Sequence, residues 1–465
     1  MPKVGLISLG CPKNLVDSEV MLGLLQRAGY EITADADQAD ILIVNTCSFI
    51  GPAQEESAEA ILEMAERRRQ GRAQRLVVTG CLVERYGEEI RREIPEVDAV
   101  LGTGEVAHIV EAVQGIHRSV KTGTPEWIYD DSLPRLRTTP AHIAYIKINE
   151  GCDRPCSFCI IPQLRGRMRS RTPQSILREA RRLVTEGVRE LILVGQDTTG
   201  YGEDLGLRDG LPDLLRQLAA LPGPLWIRFL YCYPNRVSQR LLEVLASHPH
   251  LVKYLDIPLQ HASRSVLARM RRGGNGEAFL RLLERIRSAV PGVWLRSTFI
   301  VGFPGETDED FRELCDFVQA AAFDWAGVFA YSDQETAASY QLEDKVPEPV
   351  IAERRQHLLE LQQRITRQRL RQRVGQICTA LLDGPSSESE FLWEARLEGM
   401  APDIDGRVLV TEFPENFVPR AGAWVRLHVT RAAGLDLLGR VLEPIHVPAV
   451  SAAARTAGPI LPVLP

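Results

Sequence analysis

The chain has 465 residues, more than one ordinary domain holds; at about 150 residues per domain, roughly three are expected. Hydrophobic residues make up 45% and charged residues 25%, which excludes a disordered or fibrous chain and leaves ample material for a core. The formal net charge of −6 excludes a molecule that grips nucleic acid through its overall charge, although locally basic segments exist.

No run approaches the about 20 apolar residues of a membrane span. The first eight residues lead straight into a strand-like segment, with no signal-peptide core. A cytoplasmic protein with no membrane partner is therefore expected. Nine cysteines, an odd number, in such a chain argue against a disulfide framework and pose the question of which are ligands and which are buried thiols.

In chain order, residues 4–9, 41–45, 75–79 and 98–101 read as apolar strands, and residues 14–28, 53–69 and 82–93 as helices. In the first helix Val16, Val20, Leu24 and Leu25 are spaced for one buried face. This alternation predicts an open parallel-sheet α/β domain over residues 1–117. Residues 118–139 are polar and proline-containing and read as a linker. The alternation then restarts, with strands at 143–148, 190–194, 226–231, 254–257, 294–300 and 325–331, and helices between them. About six βα units predict a full or partial parallel barrel, closed by an Arg-rich helix over 351–373 with Ala352, Leu358, Leu359, Leu361 and Ile365 as its apolar stripe; the unit spans 140–370. Short strands at 376–382, 407–411, 424–430 and 437–442 predict a small all-β unit over 371–446, a five-stranded barrel. The Ala/Pro-rich residues 447–465 read as a disordered tail.

Two cysteine constellations carry chemistry. Cys152, Cys156 and Cys159 form a C-x3-C-x2-C triplet directly after the first barrel strand. A 4Fe–4S cluster is usually held by four thiolates, so three leave one iron open, as a reactive centre requires. A zinc site completed by His142, or buried structural thiols, is the alternative at this point. Cys11, Cys47 and Cys81 are far apart in sequence, yet each lies just past a predicted strand. In a parallel sheet such ends share one edge, where these folds bind ligands. One cysteine there means little; three at equivalent positions suit a second open cluster. Cys232, Cys315 and Cys378 read as buried thiols.

The triplet after the first barrel strand, with the aromatic Phe158 before its last cysteine, resembles the radical S-adenosylmethionine (SAM) superfamily. Three N-terminal cysteines and a C-terminal β domain, similar to the one called TRAM, narrow the resemblance to its methylthiotransferases over residues 2–443. Gly10-Cys11-Pro12-Lys13-Asn14-Leu15-Val16-Asp17-Ser18-Glu19, Asn149-Glu150-Gly151-Cys152 and Cys159-Ile160-Ile161-Pro162 resemble the RimO-like branch, which modifies an aspartate of small-subunit ribosomal protein twelve. The MiaB-like branch, which acts on a tRNA adenosine, typically has Gln-Met-Asn after its first cysteine. One departure is Tyr331-Ser332-Asp333-Gln334-Glu335-Thr336, where the family usually has Glu-Gly-Thr.

The resemblance implies two 4Fe–4S clusters, on Cys11, Cys47 and Cys81 and on Cys152, Cys156 and Cys159, with SAM on the open iron of the second. It implies SAM contacts from Phe158, Gln196 and Asp197 and from the Gly302–Gly305 turn. It further implies a SAM-derived radical that takes a hydrogen from the aspartate β-carbon, sulfur delivered at the first cluster, and an electron donor as partner. The β domain would hold the ribosomal protein. Its eight arginines, no lysine and eleven carboxylates over 371–446 leave a net charge of −3, which disfavours tRNA as a partner. The same chemistry on tRNA, and a non-catalytic, metal-bearing RNA-binding module built on the Arg-rich helix and the β domain, are the competing readings.

Overall fold

The computed structural model describes residues 1–117, 125–223 and 225–445. Residues 118–124 of the expected linker and the expected tail lie outside these.

The N-terminal unit is a five-stranded parallel sheet of β1 (Lys3–Ser8), β2 (Glu31–Ile32), β3 (Ile41–Thr46), β4 (Arg75–Gly80) and β5 (Ala99–Leu101), in the order β2-β1-β3-β4-β5. Helices α1 (Pro12–Arg27), α2 (Gly51–Arg69), α3 (Cys81–Glu93) and α4 (Ile109–Gln114) connect them, and Gly115 in the left-handed region caps α4. Ser8, Asn45 and Thr79 stand in register across the sheet, so the loops that follow open on one edge. Helix α1 departs from the expected single apolar face. Lys13, Asn14 and Asp17 to Leu25 are all buried, because its second face lies against the barrel.

The barrel strands are β6 (Ile143–Lys147), β9 (Glu190–Val194), β10 (Trp226–Phe229), β11 (Tyr254–Asp256), β12 (Trp294–Val301) and β13 (Trp325–Ala330). They pair in parallel as β10-β9-β6 and β11-β12-β13, joined by a bridge between Ile227 and Leu251, and form a partial barrel. A short hairpin, β7 (Asn149–Glu150) with β8 (Arg169–Ser170), brackets the cysteine loop and α5 (Ile161–Arg165). Helices α6 (Pro173–Thr185), α7 (Gly210–Ala219), α8 (Gln239–Ser247), α9 (Arg264–Arg269), α10 (Gly276–Ala289) and α11 (Asp308–Ala321) lie between later strands, and α12 (Glu348–Arg371) closes the unit. On α12 the buried positions include Leu358, Leu361 and Ile365, whereas Ala352 is exposed. Two of its arginines are not a solvated face: Arg354 is buried on Glu306, and Arg369 pairs with Asp324.

The C-terminal unit is a closed barrel of β14 (Ile377–Pro385), β15 (Trp393–Leu397), β16 (Val408–Glu412), β17 (Trp424–Ala433) and β18 (Asp436–Pro444). It covers the N-terminal ends of the parallel strands, and first residues of five of them make the contact. Glu190 takes Arg396 at 2.5 Å, Trp226 meets Trp424 edge-on at 4.8 Å, and Tyr254 donates to Asp405 at 2.8 Å. Trp325 donates to the Gly399 carbonyl, and Arg373 lies over Trp294. The β domain is thus at the opposite mouth of the barrel from the cysteine loop.

The N-terminal unit sits at the other mouth. Gln54 and Arg85 both donate to Gln334, in the segment that departs from the family pattern. Residues 125–139 run as a half-buried strap with buried anchors: Arg135 pairs with Glu19 at 2.5 Å and Glu179 at 3.0 Å, and Tyr129 is 2% exposed. No described helix is long and apolar enough to cross a membrane.

Candidate functional site

The six cysteines assemble at the interface of the N-terminal unit and the C-terminal ends of the barrel strands. Cys11 begins the turn into α1, Cys47 follows β3 by one residue, and Cys81 is the first residue of α3. Cys11 and Cys47 both act electrostatically on Cys81. Cys152, Cys156 and Cys159 follow β7 in a loop that returns to α5.

Three of the six cysteines share a backbone device. Gly10, Gly80 and Gly151 immediately precede Cys11, Cys81 and Cys152, with φ of +87°, +99° and +77°, a region L-residues rarely adopt. A Cβ on Gly10 would stand 2.7 Å from Cys47 Cβ; one on Gly151 would stand 2.1 Å from the Arg167 carbonyl oxygen. Glycine is therefore required both to aim the cysteine and to let the neighbouring chain approach. The Gly-Cys dipeptides are visible in the sequence, and the reading by strand ends alone missed them.

Buried polar residues fix the first triplet. Asn14 donates to the Leu9 carbonyl at 2.7 Å, Asn45 to the Asn14 carbonyl at 3.0 Å, and Ser57 to the Cys47 carbonyl at 2.9 Å. Arg165, on the helix that follows Cys159, reaches across to the N-terminal unit. Its guanidinium holds Asp17 at 2.6 Å and Asn14 Oδ1 at 2.9 Å, and lies within electrostatic reach of Cys81, Cys11 and Cys47. Lys147, fully buried, pairs with Asp17 and Glu150. Two cations and two carboxylates thus form a closed set linking the two cysteine groups. Asp17 and Glu150 entered the sequence reading only as parts of segments that carry the resemblance, and Arg165 and Lys147 not at all, since charged residues without periodicity read as solvated.

The thiols divide by environment. Burial pushes Cys81 up to about 12, Cys152 to about 11 and Cys159 to about 12. Burial also pushes Cys11 upward, but Lys13 and Arg165 outweigh it and hold that thiol below its ordinary value. Coordination to a metal deprotonates such thiols outright. A single tetrahedral zinc at about 2.3 Å from each sulfur needs thiolates about 3.8 Å apart. Among the described residues, the group of three placed to hold a single metal ion is His108, Glu111 and His117 on the surface, and neither cysteine triplet forms such a group. His142 is no fourth ligand: it precedes β6 and bonds Asp383 at the far mouth, 2.9 Å away. Two buried and four half-buried cysteines with guanidinium groups beside them fit a cluster whose thiolates hold separate irons.

The other expected site residues lie at the same mouth or beside it. Phe158 packs against the barrel core. Gln196 donates to Glu150 at 2.7 Å, and its amide oxygen is buried without a partner. Asp197 accepts from Arg154 at 2.7 Å and caps the turn at Gly200. Gly302 and Gly305 have φ of +78° and +77°, and side chains there would strike Ile351 and Arg269; packing alone demands both. Arg272 Nη1 lies 3.4 Å from Cys156 Sγ. Cys232, Cys315 and Cys378 stand apart from both triplets; Cys232 is buried, and the other two are half-buried.

Family models match in three places: the uncharacterized protein family UPF0004 over residues 3–102, the radical SAM superfamily over 146–318, and the TRAM domain over 374–442. The chain is 55% identical to the ribosomal protein uS12 methylthiotransferase RimO of Solibacter usitatus, over 95% of each chain. It is 48% identical to the protein of that name from Koribacter versatilis, covering 95% of this chain and 96% of that one, and 48% identical to that from Symbiobacterium thermophilum, covering 99% and 95%. Among solved structures, the fold resembles the radical SAM methyltransferase TsrM of Kitasatospora setae, with a TM-score of 0.51 at 16% identity over 71% of this chain and 75% of that one. It also resembles the cobalamin-dependent radical SAM enzyme OxsB, with a TM-score of 0.52 at 13% identity over 76% and 56%. The chain belongs to the RimO family of radical SAM methylthiotransferases.

Proposed function

We propose that the chain replaces a hydrogen on the β-carbon of an aspartate of ribosomal protein uS12 by a methylthio group. The observation that carries this reading is the pair of three-thiol groups, each short of a fourth ligand, facing one barrel mouth and bound together by Arg165, in a chain whose relatives bear the uS12 methylthiotransferase name. Cys152, Cys156 and Cys159 hold one 4Fe–4S cluster, and Cys11, Cys47 and Cys81 the other. When bound, the clusters and SAM supply electron transfer, radical formation and sulfur, chemistry that no side-chain base performs on so weakly acidic a C–H.

The chain's own residues do the positioning. The left-handed glycines aim three of the thiolates. The buried Asp17, Lys147, Glu150 and Arg165 set fixes one cysteine group against the other. Gln196 offers a free amide oxygen at the mouth, suited to an ammonium group such as that of SAM. Asp197, already committed to Arg154, orients the turn beside it. An external electron donor supplies the reducing equivalents.

The β domain supports a protein target. Glu390, Glu412 and Glu415 stand exposed with Phe391 and Val418, while Glu388 is paired with Arg407, a surface that suits a basic, partly apolar partner. From the far mouth it grips such a partner away from the reacting carbon. Mass spectrometry of uS12 and of tRNA from cells with and without the gene tests the reading. Loss of the methylthio group from uS12 alone is expected; its loss from tRNA alone overturns the proposal in favour of the tRNA branch.

A further inference from the structure

Among the described residues, the buried cations Lys147, Arg165, Arg171, Arg228, Arg354 and Arg396 each hold a carboxylate. Lys13 and Arg272 hold none. Arg272 is occupied by the Pro258 carbonyl at 2.6 Å. Lys13 is 8% exposed, and its ammonium lies 3.5 Å from the centre of the Tyr231 ring and faces the Cys11 thiol. The nearby acids are committed: Asp17 and Glu150 to Lys147 and Arg165, and Asp256 to Arg296 at 3.1 Å.

Its partners are the Cys11 thiol and Tyr231, and no carboxylate of the described residues reaches it. Lys13 lies in the first turn of α1, the end where the helix dipole disfavours a cation and favours an anion. Tyr231, the residue beneath it at the C-terminal end of β10, is held at φ of +65°. Such strain in a non-glycine residue persists where its surroundings over-determine it, and it clusters at ligand sites. A buried ammonium, a helix N-terminus and a strained aromatic residue therefore converge at the mouth, two residues from a cysteine of the first triplet.

We propose that Lys13 binds the side-chain carboxylate of the target aspartate, and so selects an acidic protein side chain and sets its β-carbon beside the first cysteine group. This assignment rests on the uS12 reading and names the residue that recognises the substrate. The carboxylate accepts a charge-assisted hydrogen bond from Nζ.

The test uses the full chain with both clusters reconstituted, and measures its anaerobic affinity for uS12 and for uS12 whose target aspartate is replaced by asparagine. Hydrogen bonds to charged groups correspond to about 10–100-fold in affinity. The wild-type chain should prefer the aspartate form by that factor. Lys13→Gln should abolish the preference by weakening the aspartate form alone, and Lys13→Arg should keep part of it. Iron content and the electron paramagnetic resonance of each cluster are recorded on every variant. An unchanged aspartate preference in Lys13→Gln overturns the assignment. So does loss of iron from both variants, which would make Lys13 a partner of the cluster thiolates instead. A wild-type chain that binds neither form of uS12, and modifies neither, overturns the uS12 reading itself.

Discussion

Replacing Gly10 by Ala should remove the first cluster and spare the second. The new methyl group would lie 2.7 Å from Cys47 Cβ and 2.9 Å from its sulfur. Carbon atoms in contact sit about 3.5–4.0 Å apart, so Cys47 must retreat by about 1 Å or Gly10 must rotate out of its φ of +87°. Keeping that φ costs an L-residue about 1–2 kcal/mol, and leaving it moves Cys11. Metal–ligand distances tolerate only about 0.2 Å, several times less than either displacement. Iron content of the anaerobically reconstituted protein should fall from about eight to about four per chain, two clusters to one. SAM cleavage by the remaining cluster should persist, and sulfur insertion should stop. Retention of about eight irons with full sulfur insertion would refute the reasoning.

Gly151→Ala is the mirror experiment: its Cβ would meet a backbone oxygen at 2.1 Å, so the second cluster and SAM cleavage should be lost while about four irons remain, as iron assay and 5′-deoxyadenosine release will show. Arg165→Met leaves Asp17 and Glu150 with Lys147 as their remaining partner in the closed set, and should cost about 3–5 kcal/mol in urea unfolding, whereas Arg165→Lys should cost less. Burial raises Asp405 to about 6 from an unfolded value near 3.8, so the folded state holds its proton more tightly and gains stability as pH falls from above 6 to below about 4. Asp405→Asn should remove that gain, about 3 kcal/mol or less, so thermal scans across this window should show wild type losing ground to the variant as pH rises.

The parallel architecture was legible because buried strands of such sheets are continuous apolar runs, and Ile41–Thr46 or Glu190–Val194 announce themselves that way. Strand ends then placed Cys11, Cys47 and Cys81 on one edge. Several short elements escaped, β2, α4 and β15 among them. Glu31–Ile32 has two residues, α4 has six, and β15 alternates Glu394 and Arg396 with apolar neighbours. Arg396 is buried because it meets Glu190, a partner 206 residues away that no local pattern reveals.

The same cause hid the charged residues packed around the cysteines. Lys13, Asp17 and Glu19 look solvated on a helix with one apolar stripe, yet the strap and the barrel bury them all. The seat of the β domain had a faint sign, since Trp226, Tyr254, Trp294 and Trp325 each begin a barrel strand with a large aromatic residue. Such residues at a barrel mouth need a cover, but nothing local says which part of the chain supplies it. The glycines before Cys11, Cys81 and Cys152 were in plain sight, and their meaning depends on φ, which the structure gives.

The central claim, that this chain inserts a methylthio group into uS12, is tested most directly with purified components. Reconstituted chain, SAM, a reductant and a sulfide source are incubated without oxygen with uS12 and, separately, with unmodified tRNA, and each product is fragmented in the mass spectrometer. A methylthio group on the β-carbon of one uS12 aspartate, with tRNA untouched, is the predicted result; modified tRNA beside unmodified uS12 would contradict it.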